Sequence, residues 1–454
     1  MPHIVLKLDG TALSDGAAFA NAVKVIRSNP LYTHIVPSAP AGRDWRMTEL
    51  LRKLEHVEER SDIYWLLDDH LLNIARKLDL GRDFENWICT ETIALAQHID
   101  SKEVDWAYVA SRGEYWSASI LARALRIPIV DPTALIKFTP SGEYDERGTR
   151  RAFSEASLPE QFVLPGFYGS DHEGKVRLFP KSGSDITAAI LAAATAADEL
   201  HVARASTAGI HVINPGIRTG SPSTLRLIEY MSHEQAVCMA SRSDCGALHR
   251  LALQPVARAR IPVRVFNVYE PGKPGTHIVP AGHPKLPKRN YVVGIAERPG
   301  FTVFTLKRAR VRRRRTLMQS IRSVLSTYGL DFEHEVVGRD AVSFTVRNDA
   351  LKGRHEEVAK DLRTALRAQV SFLPNEGVIC LVGNDLGSDL ITLGYLLAAI
   401  GTCCGNGAGR PAKEVRLSFL SLTACGTCIM FGVENDTLRT AANRLYDELM
   451  RRRR

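Results

Sequence analysis

The sequence predicts an α/β protein: a mostly parallel sheet covered by helices, followed by two smaller βαββαβ-like units. Three observations predict it. Up to about residue 267, short apolar runs alternate with stretches of helical period, the pattern of parallel strands joined by crossover helices. Residues 268–289 hold five of the 22 prolines and three glycines, which marks a boundary. Beyond residue 290 a new order of strands and helices begins, and from Gly377 a similar order returns with weak sequence similarity.

The elements follow from local pattern. Residues 3–8 are an apolar strand, and Asp9 to Gly16 carries turn and helix-start residues ahead of a helix from Ala17 to Arg27. Thr33 to Ser38 is a second strand, followed by a loop at 40–44. Residues 47–80 show apolar positions three and four apart, the helical spacing. Helices are also expected at 86–98 and 114–125, and short strands at Asp105 to Ala110, Ile127 to Asp131 and Phe162 to Gly169. An Ala-rich helix is expected from Ser184 to Leu200, a largely helical stretch from Thr224 to Leu251, and a strand at Ile261 to Asn267. The first small unit reads as strands Tyr291 to Ala296 and Phe301 to Leu306, helix Leu317 to Tyr328, strands Asp331 to Val337 and Val342 to Val346, and helix Glu356 to Gln369. The second reads as a strand from Gly377, helix Leu390 to Ile400, strands Val415 to Leu420 and Cys428 to Val433, and helix Thr437 to Leu449.

Composition narrows the function classes. The chain has 454 residues, enough for two to four domains, and 45% hydrophobic with 24% charged residues is ordinary for a globular protein. No apolar run reaches the length that spans a membrane, and Met1 to Lys7 reads as a first strand, not a leader. A cytoplasmic protein is the expectation. The net charge of +9 comes from two runs, Arg312 to Arg315 and Arg451 to Arg454; without them Lys+Arg and Asp+Glu balance at 51 to 50. That argues against a general nucleic-acid surface. Of eight cysteines, Cys89, Cys238, Cys245 and Cys380 are scattered, and Cys403, Cys404, Cys425 and Cys428 cluster near the C-terminus. Cys425 and Cys428 lie in an apolar two-strand pattern where cysteine serves as a small buried residue, and no metal site is assigned.

Phosphorylating a carboxylate requires backbone amides at a glycine turn or helix start for a nucleotide, a cation at the transferring group, and opposite charges for an amino-acid acceptor. The chain offers these groups in order. Lys7 leads into a Gly-containing turn, and Ser38 and Thr48 follow the second strand. Glu114 sits at a helical stretch, and Phe179-Pro-Lys-Ser-Gly-Ser-Asp185 supplies a lysine, a glycine and an aspartate at a helix start. Taken singly, Ser184 and Asp185 serve equally well as helix caps.

That order resembles the aspartokinases. Lys7-Leu-Asp-Gly-Thr is similar to their opening Lys-Phe-Gly-Gly-Thr/Ser, Val36-Pro-Ser-Ala-Pro-Ala-Gly with Met47-Thr to their serine loop and threonine, and Arg112-Gly-Glu to their Gly-Glu motif. Phe179-Pro-Lys-Ser-Gly-Ser-Asp resembles their Arg-Gly-Gly-Ser-Asp segment, and Val292-Val-Gly-Ile-Ala-Glu and Ile429-Met-Phe-Gly-Val-Glu resemble their tandem ACT domains. The resemblance implies a three-layer amino-acid-kinase (carbamate-kinase-like) domain at 1–284 and ferredoxin-like ACT domains at 290–376 and 377–450, interleaved. It implies ATP and Mg²⁺, L-aspartate or a related acidic amino acid as acceptor, and a homodimer through the ACT domains. Lys7 and Asp185 would be catalytic. Ser38, Thr48, Glu114 and Lys181 would bind the acceptor, and Gly10, Thr11, Gly183, Ser184, Ser206 and Gly209 the nucleotide.

The sequence also departs from that pattern. Asp9 stands where the family has its first glycine, which would bring a carboxylate toward phosphates. Lys181 replaces an arginine and gives up its two-point grip on a carboxylate, and Ser182 replaces a glycine. Arg204-Ala-Ser-Thr-Ala-Gly209 stands for Trp-Thr-Asp-Val-x-Gly, Asn214-Pro-Gly216 for Asp-Pro-Arg, and Arg242 to His249 keeps only the end of a third motif. Two alternatives therefore stand beside an aspartate kinase: a homologue that only binds an amino acid or a partner, and a kinase for another acidic amino acid. The basic loop Lys307 to Arg315 would repel a cationic effector and favour an anionic one, or is simply solvated; weak or absent lysine feedback is expected.

Overall fold

The computed structural model describes residues 2–57, 59–180, 182–218, 225–240, 248–287, 291–307, 314–338, 341–386, 390–404, 417–422 and 426–451. Its contacts divide the chain into two units. The first comprises Met1–Ile210, Leu227–Val237 and Leu248–Leu286, and the second His211–Arg226, Cys238–Ala247 and Pro287–Arg454.

The first unit starts with β1 (Ile4–Leu8), a 3-10 turn (Gly10–Leu13), α1 (Gly16–Arg27) and β2 (Tyr32–Pro37). Five helices follow: α2 (Met47–Lys53), α3 (Ser61–Lys77), α4 (Arg82–Ile99), α5 (Trp106–Leu125) and the short α6 (Pro132–Leu135). Next come α7 (Glu146–Glu155), β3 (Phe162–Val163), β4 (Tyr168–Ser170), β5 (Val176–Leu178), α8 (Gly183–Ala194) and β6 (Glu199–Arg204). The unit closes with β7 (Tyr230–Ser232), α9 (His233–Ala240) as far as Val237, α10 (Arg250–Arg258), β8 (Val263–Asn267) and β9 (Thr276–Val279). Seven strands form one sheet in the order β3-β2-β1-β6-β8-β9-β7. All its pairs are parallel except β8 with β9. β1 lies between β2 and β6, with Lys7 opposite Val36 on one side and Val202 on the other. One core, built on Leu6, Leu8, Phe19, Leu71 and Trp116, joins β1 to α1, α3 and α5.

Several expectations are corrected here. Asp105 to Ala110 is not a strand. Asp105 caps α5, accepting from the amides of Ala107 at 3.0 Å and Tyr108 at 3.1 Å, so the apolar residues after it form the first turn of a 20-residue helix. The Ala-rich helix stops at Ala194. Ala196 takes φ +52 and the Ala197 amide turns back to the Ala192 carbonyl, freeing Glu199 to begin β6 in mid-sheet. The 47–80 stretch is two helices, broken at 54–60. Ile129 contributes only an isolated bridge to Val163, and the 162–169 strand is interrupted before Tyr168. The stretch expected to be helical from Thr224 contains β7; Thr224 itself and residues 241–247 lie outside the described residues.

The second unit contains β10 (Tyr291–Lys307), α11 (Arg314–Ser326), β11 (His334–Val337), β12 (Ala341–Arg347), α12 (Asn348–Leu351) and α13 (His355–Leu366). β13 (Gln369–Asn384), α14 (Leu390–Cys404), β14 (Phe419–Leu422), β15 (Cys428–Glu434) and α15 (Asn435–Arg451) complete it. Its six strands form one antiparallel sheet, β11-β12-β10-β13-β15-β14. The two strands expected at 291–296 and 301–306 are one. β10 runs through with register shifts, one of them between Arg298 and Phe301, where Gly300 takes φ +85, a conformation open to glycine. The helical and strand repeats thus share one sheet, with α11 and α13 covering Phe304, Phe344 and Val370. Residues 308–313 of the basic loop lie outside the described residues. Among the described residues no helix is long and apolar enough to cross a membrane.

Candidate active site

The site grows from the C-terminal ends of β1 and β6, where open α/β sheets bind ligands. Leu6 and Leu8 face the apolar core, so alternation sends Lys7 to the other side of the sheet. There α8 begins, and Asp185 in its first turn meets the lysine: Lys7 Nζ lies 2.6 Å from Asp185 Oδ1, with both side chains almost wholly buried. Arg204, the last residue of β6, reaches Asp185 Oδ2 at 3.4 Å. Burial by itself would raise the Asp185 pKa, but Lys7 and Arg204, with His249 acting from further away, hold it below its ordinary value. Two cations thus share one carboxylate, leaving net positive charge beside the N-terminal amides of α8, a setting that favours an anion.

Glu114 faces this cluster from α5. It is 5% exposed, and its Oε2 has no hydrogen-bond partner. Burial pushes its carboxyl up to about 8, against the lowering effects of the Ala39 backbone, Lys7 and Arg52. A buried carboxyl with one open oxygen can receive an ammonium group, whose charge would restore the carboxylate.

The segment from Ser38 to Ala41 is clamped between Gly10 and Gly113. The Ser38 amide donates to the Leu8 carbonyl at 3.0 Å and the Ala41 amide to the Gly10 carbonyl at 2.9 Å. A Cβ on Gly10 would strike the Ala39 carbonyl, and one on Gly113 would come within 2.7 Å of Ala39 Cβ. Gly10 therefore acts here through close approach. Thr48, in the first turn of α2, is half-buried past the same loop. Asp9, expected to project toward phosphates, is turned into its own backbone. It accepts from the Ala12 amide at 2.9 Å and from the Thr11 hydroxyl at 3.0 Å.

Thr11 and Ser206 line a cavity of about 540 Å³ together with Ser14, Asp15, Trp45 and His70. Gly183 and Ser184 are buried against Phe167 and Gly166. Gly209 packs instead on Thr276, whose hydroxyl accepts from the Ile210 amide at 2.8 Å, and it does not line the cavity. Lys181 lies outside the described residues. Arg204 and Arg52 are the groups that sequence reasoning missed. The signal for Arg204 was its place at the end of an apolar strand, hidden because the preceding helix was carried too far.

Residues 2–267 match the amino acid kinase family. The chain belongs to that family. Aspartokinase 3 of Bacillus subtilis is 24% identical over 468 residues, covering 98% of each chain. Among solved structures, the aspartate kinase of Clostridium acetobutylicum superposes with a TM-score of 0.78 at 24% identity, covering 99% of this chain and 100% of that one. Escherichia coli aspartokinase III, in complex with aspartate and ADP, gives 0.77 at 20% identity, with 99% and 100% covered. The fold of this amino acid kinase, including its C-terminal antiparallel unit, is therefore that of the ACT-containing aspartate kinases.

Proposed function

We propose that the chain is an aspartate kinase that transfers the γ-phosphoryl group of ATP to the side-chain carboxylate of L-aspartate, giving 4-phospho-L-aspartate and ADP. The buried Lys7–Asp185–Arg204 cluster facing Glu114 carries this reading. An acceptor carboxylate oxygen attacks the γ-phosphorus while the bond to the bridging β,γ-oxygen breaks. Charge on the transferring group is greatest where Lys7 and Arg204 stand, so their field lowers the barrier. Asp185 fixes both cations. Glu114 takes the aspartate ammonium, and Ser38 and Thr48, with Lys181 by resemblance, hold its carboxylates. Thr11 and Ser206, which share a cavity, would take the nucleotide, with Gly10, Gly183 and Ser184 by resemblance; Gly209 packs on Thr276. Mg²⁺ takes hard oxygen donors, but Asp185 is held by Lys7 and Arg204 and Asp9 by the Ala12 amide and the Thr11 hydroxyl, so neither carboxylate is assigned to the ion that the resemblance implies. When bound with ATP, the ion neutralises phosphate charge.

The domain at 1–284 would carry this chemistry, with paired ACT units at 290–376 and 377–450 building a homodimer in the cytoplasm. The deciding assay traps the acyl phosphate with hydroxylamine after incubation with ATP, Mg²⁺ and aspartate. Hydroxamate from wild type and none from Lys7→Ala is the expected result. No hydroxamate with any acidic amino acid, together with no ATP binding, overturns the proposal in favour of a non-catalytic amino-acid binder.

A further inference from the structure

Sequence spacing groups Cys428 with Cys403, Cys404 and Cys425. The structure groups it differently. Cys238 on α9, Cys380 on β13 and Cys428 on β15 bring their three sulfurs within 4.8 Å of one another. All three residues fall in the second unit. They are thiols, not disulfides, with exposures of 8%, 0% and 1%. Cys238 Sγ and Cys380 Sγ are 3.9 Å apart.

One buried cysteine fills space as a small apolar side chain. Three that converge from a helix and two strands, 142 residues apart at the first pair, make a different environment. Among the described residues no carboxylate or imidazole belongs to the group. Burial and the two neighbouring thiols push the Cys380 thiol well above its ordinary pKa. A tetrahedral ion with bonds of about 2.3 Å to sulfur holds its ligands about 3.8 Å apart, which matches the Cys238–Cys380 separation. The ladder supplies a further sulfur. Met430 lies directly opposite Cys380 in the β13–β15 pairing, on the same face, and is 5% exposed. Thiolate with thioether is the donor set that selects soft closed-shell ions.

We propose that Cys238, Cys380 and Cys428 bind one thiophilic d¹⁰ metal ion, Zn²⁺ or Cu⁺, with Met430 beside it as a soft fourth donor. Each thiol that becomes a ligand thiolate releases its proton to solvent, so binding weakens as pH falls. Because the cysteines are buried, the ion enters as the second unit folds. The site is independent of the phosphoryl-transfer reading.

The test uses the full chain, purified without oxygen and loaded with Zn²⁺ alone or with Cu⁺ alone against a chromogenic chelator. Ions per chain are counted by mass spectrometry, and sulfur neighbours by X-ray absorption. One tightly held ion with at least three sulfur neighbours is expected. Zn²⁺ retention in four-coordination and Cu⁺ retention in sulfur-only coordination identify which ion it is. Cys238→Ala and Cys380→Ala should each weaken binding about 100-fold or more, beyond the effect of losing an outer partner. Wild type that retains neither ion overturns the proposal, as does equal retention by both variants. Should Cys380→Ala fail to fold, the chain carrying Cys403→Ala, Cys404→Ala and Cys425→Ala decides. It must still hold the ion, and losing it overturns the assignment.

Discussion

Lys7 Nζ and Asp185 Oδ1, 2.6 Å apart and almost wholly buried, form an ion pair that Arg204 shares from the other carboxylate oxygen at 3.4 Å. The two ends of this arrangement are not equivalent. Asp185→Ala leaves two cations facing each other, and removing one partner of a buried pair costs about 3–5 kcal/mol. Lys7→Met leaves Asp185 its arginine and should fold far better. The expected outcome is a clear drop in urea midpoint for Asp185→Ala and a small one for Lys7→Met. In the hydroxamate assay, folded Lys7→Met should lose about 100- to 1,000-fold in kcat. A large stability loss for Lys7→Met with kcat intact would make the pair purely structural.

Arg204 ends β6 where the aspartokinase pattern has tryptophan, and its Nε is buried without a hydrogen-bond partner. Under the proposed function that nitrogen would donate to a phosphate oxygen. The expectation for Arg204→Met is a fall of about 10- to 100-fold in kcat/KM for ATP, the size of one lost charged hydrogen bond. KM for aspartate should stay within about twofold on the same grounds. Steady-state kinetics with each substrate varied in turn checks this, and an effect confined to aspartate would place Arg204 on the acceptor side.

The parts that sequence made legible are those with a strong local cause. Lys7, Glu114 and Asp185 were found because each sits beside a glycine or helix-start pattern, and the structure brings these three together. β6 was lost because alanine continues a helical pattern with no glycine or proline to end it, so the stop at Ala196, a left-handed turn, leaves no mark in composition. The Asp105–Ala110 error has the opposite cause: six residues are too few to tell a strand from a helix turn. The cysteine cluster joins Cys238, Cys380 and Cys428. Only the pairing of β13 with β15 and the placement of α9 bring them together, and no spacing rule encodes that.

Ser182 precedes α8 in the left-handed region, φ +56 and ψ 36, and is exposed without a side-chain capping bond. A non-glycine residue there costs about 1–2 kcal/mol, and the aspartokinase pattern has glycine at this place. Ser182→Gly should therefore stabilise the chain by about 1 kcal/mol, allowing for the larger chain entropy of glycine when unfolded. Urea unfolding at neutral pH measures it. An unchanged or lower midpoint would show that the serine side chain makes compensating contacts.

Glu114 gives the protein a pH dependence with a definite sign. Its carboxyl is pushed up to about 8 in the folded chain from an ordinary 4.5, chiefly by burial. Below 4.5 both states hold the proton. Between 4.5 and 8 the unfolded chain releases it and the folded chain keeps it, so stability falls as pH rises, by about 1.4 kcal/mol per unit from this group. Above 8 the contribution is lost entirely. Glu114→Gln removes the titration and should unfold at higher denaturant than wild type at pH 8, with the gap closing toward pH 5. The same carboxyl couples binding to protons: an ammonium docking on Glu114 favours the carboxylate, so at pH 7 aspartate should bind with release of a proton. Calorimetry in buffers of differing ionisation enthalpy measures this release. Its persistence in Glu114→Gln would assign the proton to another group and move the ammonium site away from α5.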